Sequence, residues 1–295
     1  MVDYIRLVYE DKVDIEEFIL IKENFEKVHT VMEYHSGQIL YPYRVPLESM
    51  IIIITNSTVY IKNSLHKLYN KIKGDGEQNY SDFKYTELAY AIEYLNGKLI
   101  GLLDTKITQL EFGLNINTNL PAEVIIRENV KSHKGNMYNH NREFRGKGEY
   151  IQYDNDDYYI KIYDKAKQFG LTSNILRFEI KFIRKRTYNK LGLHKLSDLQ
   201  SKDNLQLLFN HLLKRFDEMV IVDNYTEILR IEDKEILEKY LTHEYWQNLK
   251  KTMSRQTVAV QRSKFKKLLL KYDMLKTKSE LRQLLSEKFE YLINN

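Results

Sequence analysis

Cysteine is absent from this sequence of 295 residues, and proline and tryptophan are scarce, with three copies and one. Without cysteine the chain can form no disulfide, no thiolate nucleophile and no sulfur-ligated zinc or iron–sulfur site. Long apolar runs are also lacking: the longest, Met50–Ile54, falls far short of the roughly 20 residues of a membrane helix. The first 14 residues mix charged with apolar residues, unlike a signal peptide. We therefore expect no membrane partner and a cytoplasmic location.

Charge is abundant but unevenly distributed. The net charge is +5, yet residues 250–282 hold eleven basic and two acidic residues, so this stretch carries +9 and leaves −4 for the rest. A basic segment beside a mildly acidic body indicates a polyanionic partner. A solvated helix rich in lysine explains the charge equally well.

The spacing of apolar residues predicts the secondary structure. Three segments alternate cleanly between apolar and polar residues, as strands with one buried face do: 109–117, 158–165 and 176–182. Further strand patterns cover 2–9, 30–43 and 50–61, and helical patterns cover 64–73, 81–95, 121–130, 204–220, 232–241, 243–253, 255–272 and 279–293. We predict an α+β fold with a mainly antiparallel sheet, helices on its apolar face and an all-helical C-terminal domain. The expected boundary gives domains 1–200 and 201–295.

The polar faces of the three alternating strands carry residues with chemical potential. Glu111 and Glu179 would converge if their strands are neighbours, and two carboxylates suit Mg²⁺ or Mn²⁺. Tyr163 would stand beside them, flanked on its own face by Lys161 and Lys165. For any single strand, a merely solvated polar face is an equally good interpretation.

This combination suits the transfer of a DNA phosphodiester onto tyrosine. A phenol with a pKa near 10 is a weak nucleophile, and adjacent ammonium groups would favour the phenolate. A divalent cation would offset the charge that develops at phosphorus. The catalytic residues predicted in this way are Tyr163, Lys161 and Lys165, and the predicted metal ligands are Glu111 and Glu179.

All three of these strands resemble segments of rolling-circle replication initiators. Residues 160–165 (IKIYDK) and 176–182 (LRFEIKF) are similar to the tyrosine strand and the following acidic strand of Rep_trans-type plasmid initiators, and residues 109–115 (QLEFGLN) are similar to their upstream acidic strand. Residues 184–192 (RKRTYNKLG) are similar to the gene II/X replication proteins of filamentous phages.

The resemblance implies a HUH-like nickase domain that forms a 5′-phosphotyrosine bond at a replication origin. It implies Tyr163 as the nucleophile, Glu111 and Glu179 as metal ligands, and Arg177 as a phosphate contact. The partner would be DNA, either single-stranded or an extruded origin hairpin, and a host helicase and a second copy of the chain are further partners that it allows. Two departures matter. Asn115 replaces a second acid of the plasmid pattern, and the chain has no His-hydrophobic-His pair, so a third metal ligand is unassigned.

Basic residues outside these strands are predicted to hold the DNA backbone. They lie in a loop-like stretch and in the C-terminal region: Lys131, Lys134, Arg142, Arg145, Lys147, Arg255 and Arg262. The helical pattern at 255–272 would serve as a recognition helix or pack in a plain bundle. Two alternatives to a replication initiator remain open, a nickase of the relaxase or transposase type and a DNA-binding regulator without catalytic activity.

Overall fold

The computed structural model describes residues 1–144, 146–224 and 230–295. In these residues the strands are β1 (Val2–Val8), β2 (His29–Met32), β3 (Ile39–Leu47), β4 (Met50–Ile54), β5 (Val59–Ser64), β6 (Lys106–Asn117), β7 (Val130–His133), β8 (Tyr150–Asp154), β9 (Tyr158–Asp164), β10 (Ile175–Phe182) and β11 (Met219–Ile221). The α-helices are α1 (Val13–Leu20), α2 (Leu65–Lys73), α3 (Tyr85–Asn96), α4 (Ala122–Val124), α5 (Lys165–Gln168), α6 (Lys185–Asn189), α7 (Lys202–Asp217), α8 (Ile231–Leu241), α9 (His243–Thr252), α10 (Arg255–Lys271) and α11 (Lys276–Asn294). Among these helices none has both the length and the apolar composition to cross a membrane.

A large antiparallel sheet organises the fold. Within the described residues it has nine strands in the order β2-β3-β4-β5-β1-β6-β10-β9-β8, and β7 pairs with β11 in a separate two-stranded sheet. Every pair of neighbouring strands in both sheets is antiparallel. The predicted α+β class and the mainly antiparallel sheet are therefore confirmed.

Helices cover the apolar face of the sheet, as the alternation predicts. The inward side chains of β6 and β10, among them Phe112 and Phe178, are buried. Phe178 meets Phe216 of α7 edge to face at 5.4 Å, and Phe209 of α7 stacks on Phe289 of α11 at 4.1 Å between ring centroids. Burial of each of these phenylalanine rings contributes about 1.5–3 kcal/mol of transfer free energy and holds α7 and α11 against the sheet.

The C-terminal helices are divided between two hydrophobic clusters of the described residues. Buried residues of α7 and α11 belong to the main core with the sheet, whereas those of α8, α9 and α10 form a second, smaller cluster around Trp246. Trp246 packs against Gly135, which has a φ of +77° and where a Cβ would lie 2.9 Å from the Trp246 Cβ. The division at residue 200 stays a prediction, while the packing joins α7 and α11 to the sheet.

The chain differs from the sequence prediction after residue 120. In place of one helix over 121–130, α4 is a single turn and continues as a π-helical turn at Ile125–Asn129. The predicted loop after it begins with strand β7, which pairs with β11, as the register Val220 to Ser132 illustrates. A partner strand so distant in sequence leaves no local pattern, which explains why β7 was missed.

Candidate active site

The polar face of β6, β10 and β9 brings the predicted residues together. The strands are neighbours, with Lys181 opposite Glu111, Glu179 opposite Lys161, and Arg177 opposite Tyr163. This adjacency satisfies the condition on which the convergence of the two glutamates depended. Strict alternation along each strand keeps the polar side chains on this one face.

Glu111 and Glu179 are linked through Lys161. The Lys161 Nζ lies 3.0 Å from Glu111 Oε2 and 2.8 Å from Glu179 Oε1. The other oxygen of each carboxylate has its own cation, with Lys181 Nζ 2.9 Å from Glu111 Oε1 and Arg177 Nε 2.7 Å from Glu179 Oε2. All four carboxylate oxygens are therefore neutralised by side chains of the chain itself.

The two glutamates titrate differently because their surroundings differ. Burial opposes ionisation of Glu179, but Lys161 and Arg177 outweigh burial and hold the pKa of this carboxyl well below its usual range. For Glu111, burial and the negative charge of Glu179 raise the pKa above its ordinary value. Glu179 is thus the carboxylate that stays charged when the pH falls.

Arg177 is the centre of a buried network that reaches β1. Its Nη2 donates to Asp3 Oδ2 and its Nη1 donates to Asn115 Oδ1, both at 3.0 Å. Asp3 also accepts hydrogen bonds from Asn79 Nδ2 at 2.8 Å and from Ser64 Oγ. Asp3, Ser64 and Asn79 were not predicted from the sequence, and all three are buried.

Gly113 makes room for Glu179. The two residues are paired between β6 and β10, and a Cβ on Gly113 would lie 2.8 Å from the Phe178 carbonyl oxygen and 2.9 Å from Glu179 Cβ. Real Cβ atoms do not approach backbone atoms so closely. Because Gly113 has no side chain, the Glu179 Cβ can lie directly against the backbone of β6.

Tyr163 is nearly enclosed, with 5% of its surface exposed. Its ring centroid lies 5.2 Å from that of Phe144 and 5.8 Å from that of Tyr150. Burial raises the pKa of Tyr163 well above its ordinary value, Glu179 raises it further, and Arg177 lowers it. The expectation that flanking ammonium groups favour the phenolate does not hold, because Lys161 is neutralised by two carboxylates and Arg177 is the cation that opposes the increase.

Lys165 is buried beside Tyr163. Its Nζ donates to Asn79 Oδ1 at 2.7 Å and to Gln168 Oε1 at 2.9 Å, and it lies 5.4 Å from the ring centroid of Tyr163. Burial and the positive charge of Arg177 lower the pKa of Lys165 to about 7. A large fraction of this amine is therefore uncharged near neutral pH.

The arrangement does not fit a divalent cation between Glu111 and Glu179. The Lys161 Nζ takes the position between the two carboxylates and would have to leave before an ion could bind both. Among the residues that the structure describes, no group of three or more histidine, aspartate or glutamate side chains is placed to hold a metal ion. The magnesium or manganese site thus stays a prediction that this geometry does not favour.

The residues predicted to contact DNA fall into separate regions. Lys134 lies away from the polar face of the sheet. Its Nζ is 3.1 Å from both Glu218 Oε2 and Tyr158 Oη. Lys131 belongs to the short strand β7. Arg142 and Lys147 are exposed in the segment that carries Phe144, near Tyr163. The predicted contact at Arg145 lies outside the described residues.

A basic groove runs beside the second hydrophobic cluster. Arg255 and Arg262 are exposed on α10, and Arg262 lines a cavity of about 630 Å³ between α10, α11 and the turn after β7. Further cations line the same cavity, namely Lys134, Lys266, Lys278 and Arg282. Two acidic residues, Asp217 and Glu218, line the cavity as well. Five basic residues against these two leave the groove with a net positive charge.

Comparison with known proteins finds a likeness to solved structures and none to a sequence family. No protein-family model and no curated protein matches the sequence. The chain is similar to the solved structure of a rolling circle replication initiator protein from Geobacillus stearothermophilus, with a TM-score of 0.41 and 13% sequence identity over 79% of this chain and 90% of that chain.

Proposed function

We propose that the protein is a DNA nicking and joining enzyme that initiates rolling-circle replication through Tyr163. The observation that carries the proposal is the pairing of Tyr163 with Arg177 inside a buried network of charges on the polar face of a sheet. A tyrosine beside a fixed guanidinium suits attack on a phosphodiester, because the guanidinium neutralises phosphate charge.

The reaction would be a transesterification. The Tyr163 Oη attacks phosphorus and the bond from phosphorus to O3′ breaks, which leaves a 5′-phosphotyrosine and a free 3′-OH. The phenol proton passes to the uncharged amine of Lys165 and ends on O3′, so atoms and charge balance. The reverse reaction rejoins the strand without an external energy source, since one phosphodiester replaces another.

The charged residues around Tyr163 would have distinct roles in this reaction. Arg177 stabilises the charge that grows on the phosphoryl oxygens, and Lys165, whose Nζ lies 5.4 Å from the Tyr163 ring centroid and whose pKa is lowered to about 7, serves as the base. Lys161 keeps Glu111 and Glu179 neutralised, so that these carboxylates do not repel the DNA. No step needs a divalent cation, and the predicted Mg²⁺ or Mn²⁺ stays outside the mechanism.

The burial of Tyr163 supports an unpaired substrate strand. Phe144 and Tyr150 pack against its ring, so the strand has to enter beneath them, and an unstacked nucleotide can replace their ring contacts with its own base. A single strand or an extruded hairpin exposes such bases, whereas a closed duplex does not. Arg142 and Lys147 would hold the backbone on either side of Phe144. A helicase and a second copy of the chain stay predicted partners.

A DNA-binding regulator without catalytic activity is the second candidate. Two observations favour it. Aromatic rings cover Tyr163 and burial raises its pKa, and the carboxylates of Glu111 and Glu179 are both ion-paired. The exposed cations of α10 would suffice for DNA binding in such a protein. A relaxase or transposase-type nickase would share the proposed chemistry and differ in its DNA site.

A covalent-adduct assay distinguishes these candidates. The protein is incubated with single-stranded and supercoiled DNA, denatured, and examined for DNA attached to protein. We expect an adduct that Tyr163→Phe abolishes and Tyr159→Phe preserves, because Tyr159 lies on the same face of β9 but opposite Lys181. An adduct that survives Tyr163→Phe contradicts the proposal. DNA binding with no adduct on any substrate favours the regulator.

A further inference from the structure

The position between Glu111 and Glu179, where a divalent cation was predicted, is filled by a side chain of the protein. The Lys161 Nζ lies within 3.0 Å of an oxygen of each glutamate. We propose that Lys161 is the permanent cation of this site in place of a metal ion, and that the chain binds a divalent ion here only when the Lys161 ammonium is removed. The inference takes its site from the proposed function but concerns ion binding alone.

The charges of the cluster balance without a metal. Its carboxylates are Asp3, Glu111 and Glu179, and its cations are Lys161, Arg177 and Lys181, each held by the contacts described above. Three negative and three positive charges sum to zero. A divalent ion added to this set would leave two uncompensated positive charges in a largely buried cluster, which is strongly unfavourable.

Within the described part of the chain, Lys161 is ion-paired with no carboxylate besides Glu111 and Glu179. On β8 the residue opposite Lys161 is Gln152, which is neutral and buried. Its Oε1 accepts a hydrogen bond from Tyr150 Oη and its Nε2 donates to Asp154 Oδ1, both at 2.5 Å. Both polar atoms of the Gln152 amide are therefore already engaged in hydrogen bonds.

Lys161 differs from the other ammonium at the site in what it touches. Lys161 bridges both glutamates and is 14% exposed, whereas Lys181 contacts Glu111 and is 30% exposed. Removal of Lys161 leaves one oxygen of each glutamate free on facing sides and gives the cluster a net charge of −1. Removal of Lys181 gives the same net charge but leaves Lys161 between the carboxylates. The two lysines thus form a matched pair for an experiment.

The test measures Mn²⁺ binding to the full chain without DNA, by electron paramagnetic resonance of the free ion. We expect wild type and Lys181→Met to bind no Mn²⁺ at this site. Lys161→Met, which keeps a similar length without charge, should bind one Mn²⁺ at a concentration at least about tenfold below any at which the other two proteins take up the ion, the scale on which changes around a site act on metal affinity. The double variant Lys161→Met/Glu179→Gln should lose this ion.

Two outcomes overturn the proposal. One is a wild-type protein that binds one Mn²⁺ and loses it on Glu111→Gln. The other is a folded Lys161→Met protein with no new site. If Lys161→Met does not fold, the wild-type titration with Glu111→Gln as control decides alone. Since no DNA is present, a protein that never forms an adduct gives the same binding results, so failure of the proposed function is recognised separately.

Discussion

Arg177 is paired with Tyr163 across the ladder between β10 and β9, and its guanidinium donates to residues on β1, β6 and β10. These three acceptors, Asp3, Asn115 and Glu179, fix the planar group in one orientation. The Arg177 charge is therefore held in place near Tyr163 by side chains from three strands. Such fixed charges act on a reaction without reorganisation when the substrate arrives.

Removal of the Arg177 charge should destabilise the fold strongly. Arg177→Met leaves Asp3 and Glu179 buried without their partner, so we expect the free energy of unfolding in urea to fall by about 3–5 kcal/mol. Arg186→Met removes an exposed ion pair with Asp157 and should cost less than about 1 kcal/mol. Equal losses of unfolding free energy in the two variants would contradict the burial of the Arg177 network.

Gly113→Ala should disturb the site through a single methyl group. The added Cβ meets the Phe178 carbonyl oxygen and Glu179, and overpacking of this kind costs about 1–3 kcal/mol. Gly97→Ala is the control, because Gly97 has a φ of −72° and its nearest neighbours lie 3.6 Å away. That variant should be neutral or slightly stabilised in thermal unfolding. A Gly113→Ala protein as stable as wild type contradicts the close approach.

The lowered pKa of Lys165 makes stability depend on pH. Its pKa is about 7 in the folded chain and 10.5 in the unfolded chain, so between these values the unfolded state binds the extra proton. The contribution of Lys165 to stability is therefore full above pH 10.5 and is lost as the pH falls through about 7. We expect the unfolding free energy of wild type minus that of Lys165→Met to rise steadily over this window. A difference that is constant with pH means an ordinary lysine.

Lys167→Met is the matched control for that experiment. Lys167 lies two residues away on the same short helix, and its side chain is exposed. The stability difference between wild type and Lys167→Met should stay flat over the same window.

Under the proposed mechanism, the rate of adduct formation by wild type should rise through about pH 7, as Lys165 loses its proton.

Salt dependence of DNA binding should separate the exposed cations from the paired ones. Arg262→Gln removes an exposed charge in the groove, and we expect the slope of log affinity against log salt to decrease by about 0.7–0.9. Arg282→Gln is the control, because Arg282 Nε lies 2.8 Å from Asp217 Oδ1 and is already neutralised. Fluorescence anisotropy over a salt series measures both slopes. Identical slopes in wild type and Arg262→Gln would exclude Arg262 as a phosphate contact.

The sequence predicted the strands of the site better than their arrangement. Alternation alone located β6, β9 and β10 to within about three residues, because a period of two is a local property. The convergence of Glu111 and Glu179 depended on their strands being neighbours. Strand order is set by contacts between distant segments, which the local pattern does not show. The ion pairs of Lys161 were missed for a related reason. The alternation places Lys161, Glu111 and Glu179 on the polar face of the sheet, but it does not show which of these side chains are in contact.

Asp3 was missed because the pattern of β1 is irregular. Strict alternation places residue 3 on the same side as Ile5 and Leu7, which are buried in the apolar core. The register between β1 and β6 shifts between Val2 and Ile5, and this irregularity leaves Asp3 within reach of Arg177. An acidic residue at an apolar position of a strand was the one available indication.

The bond between Asp3 and Arg177 joins residues 174 positions apart, with β1 lying between β5 and β6 near the middle of the sheet. Closing so long a loop costs chain entropy before any contact repays it. Most of the chain has to be synthesised before the guanidinium can meet its carboxylate. The charge network is therefore completed late: Arg177 follows Tyr163 by 14 positions, and both strands have to be made before the guanidinium closes the loop back to Asp3.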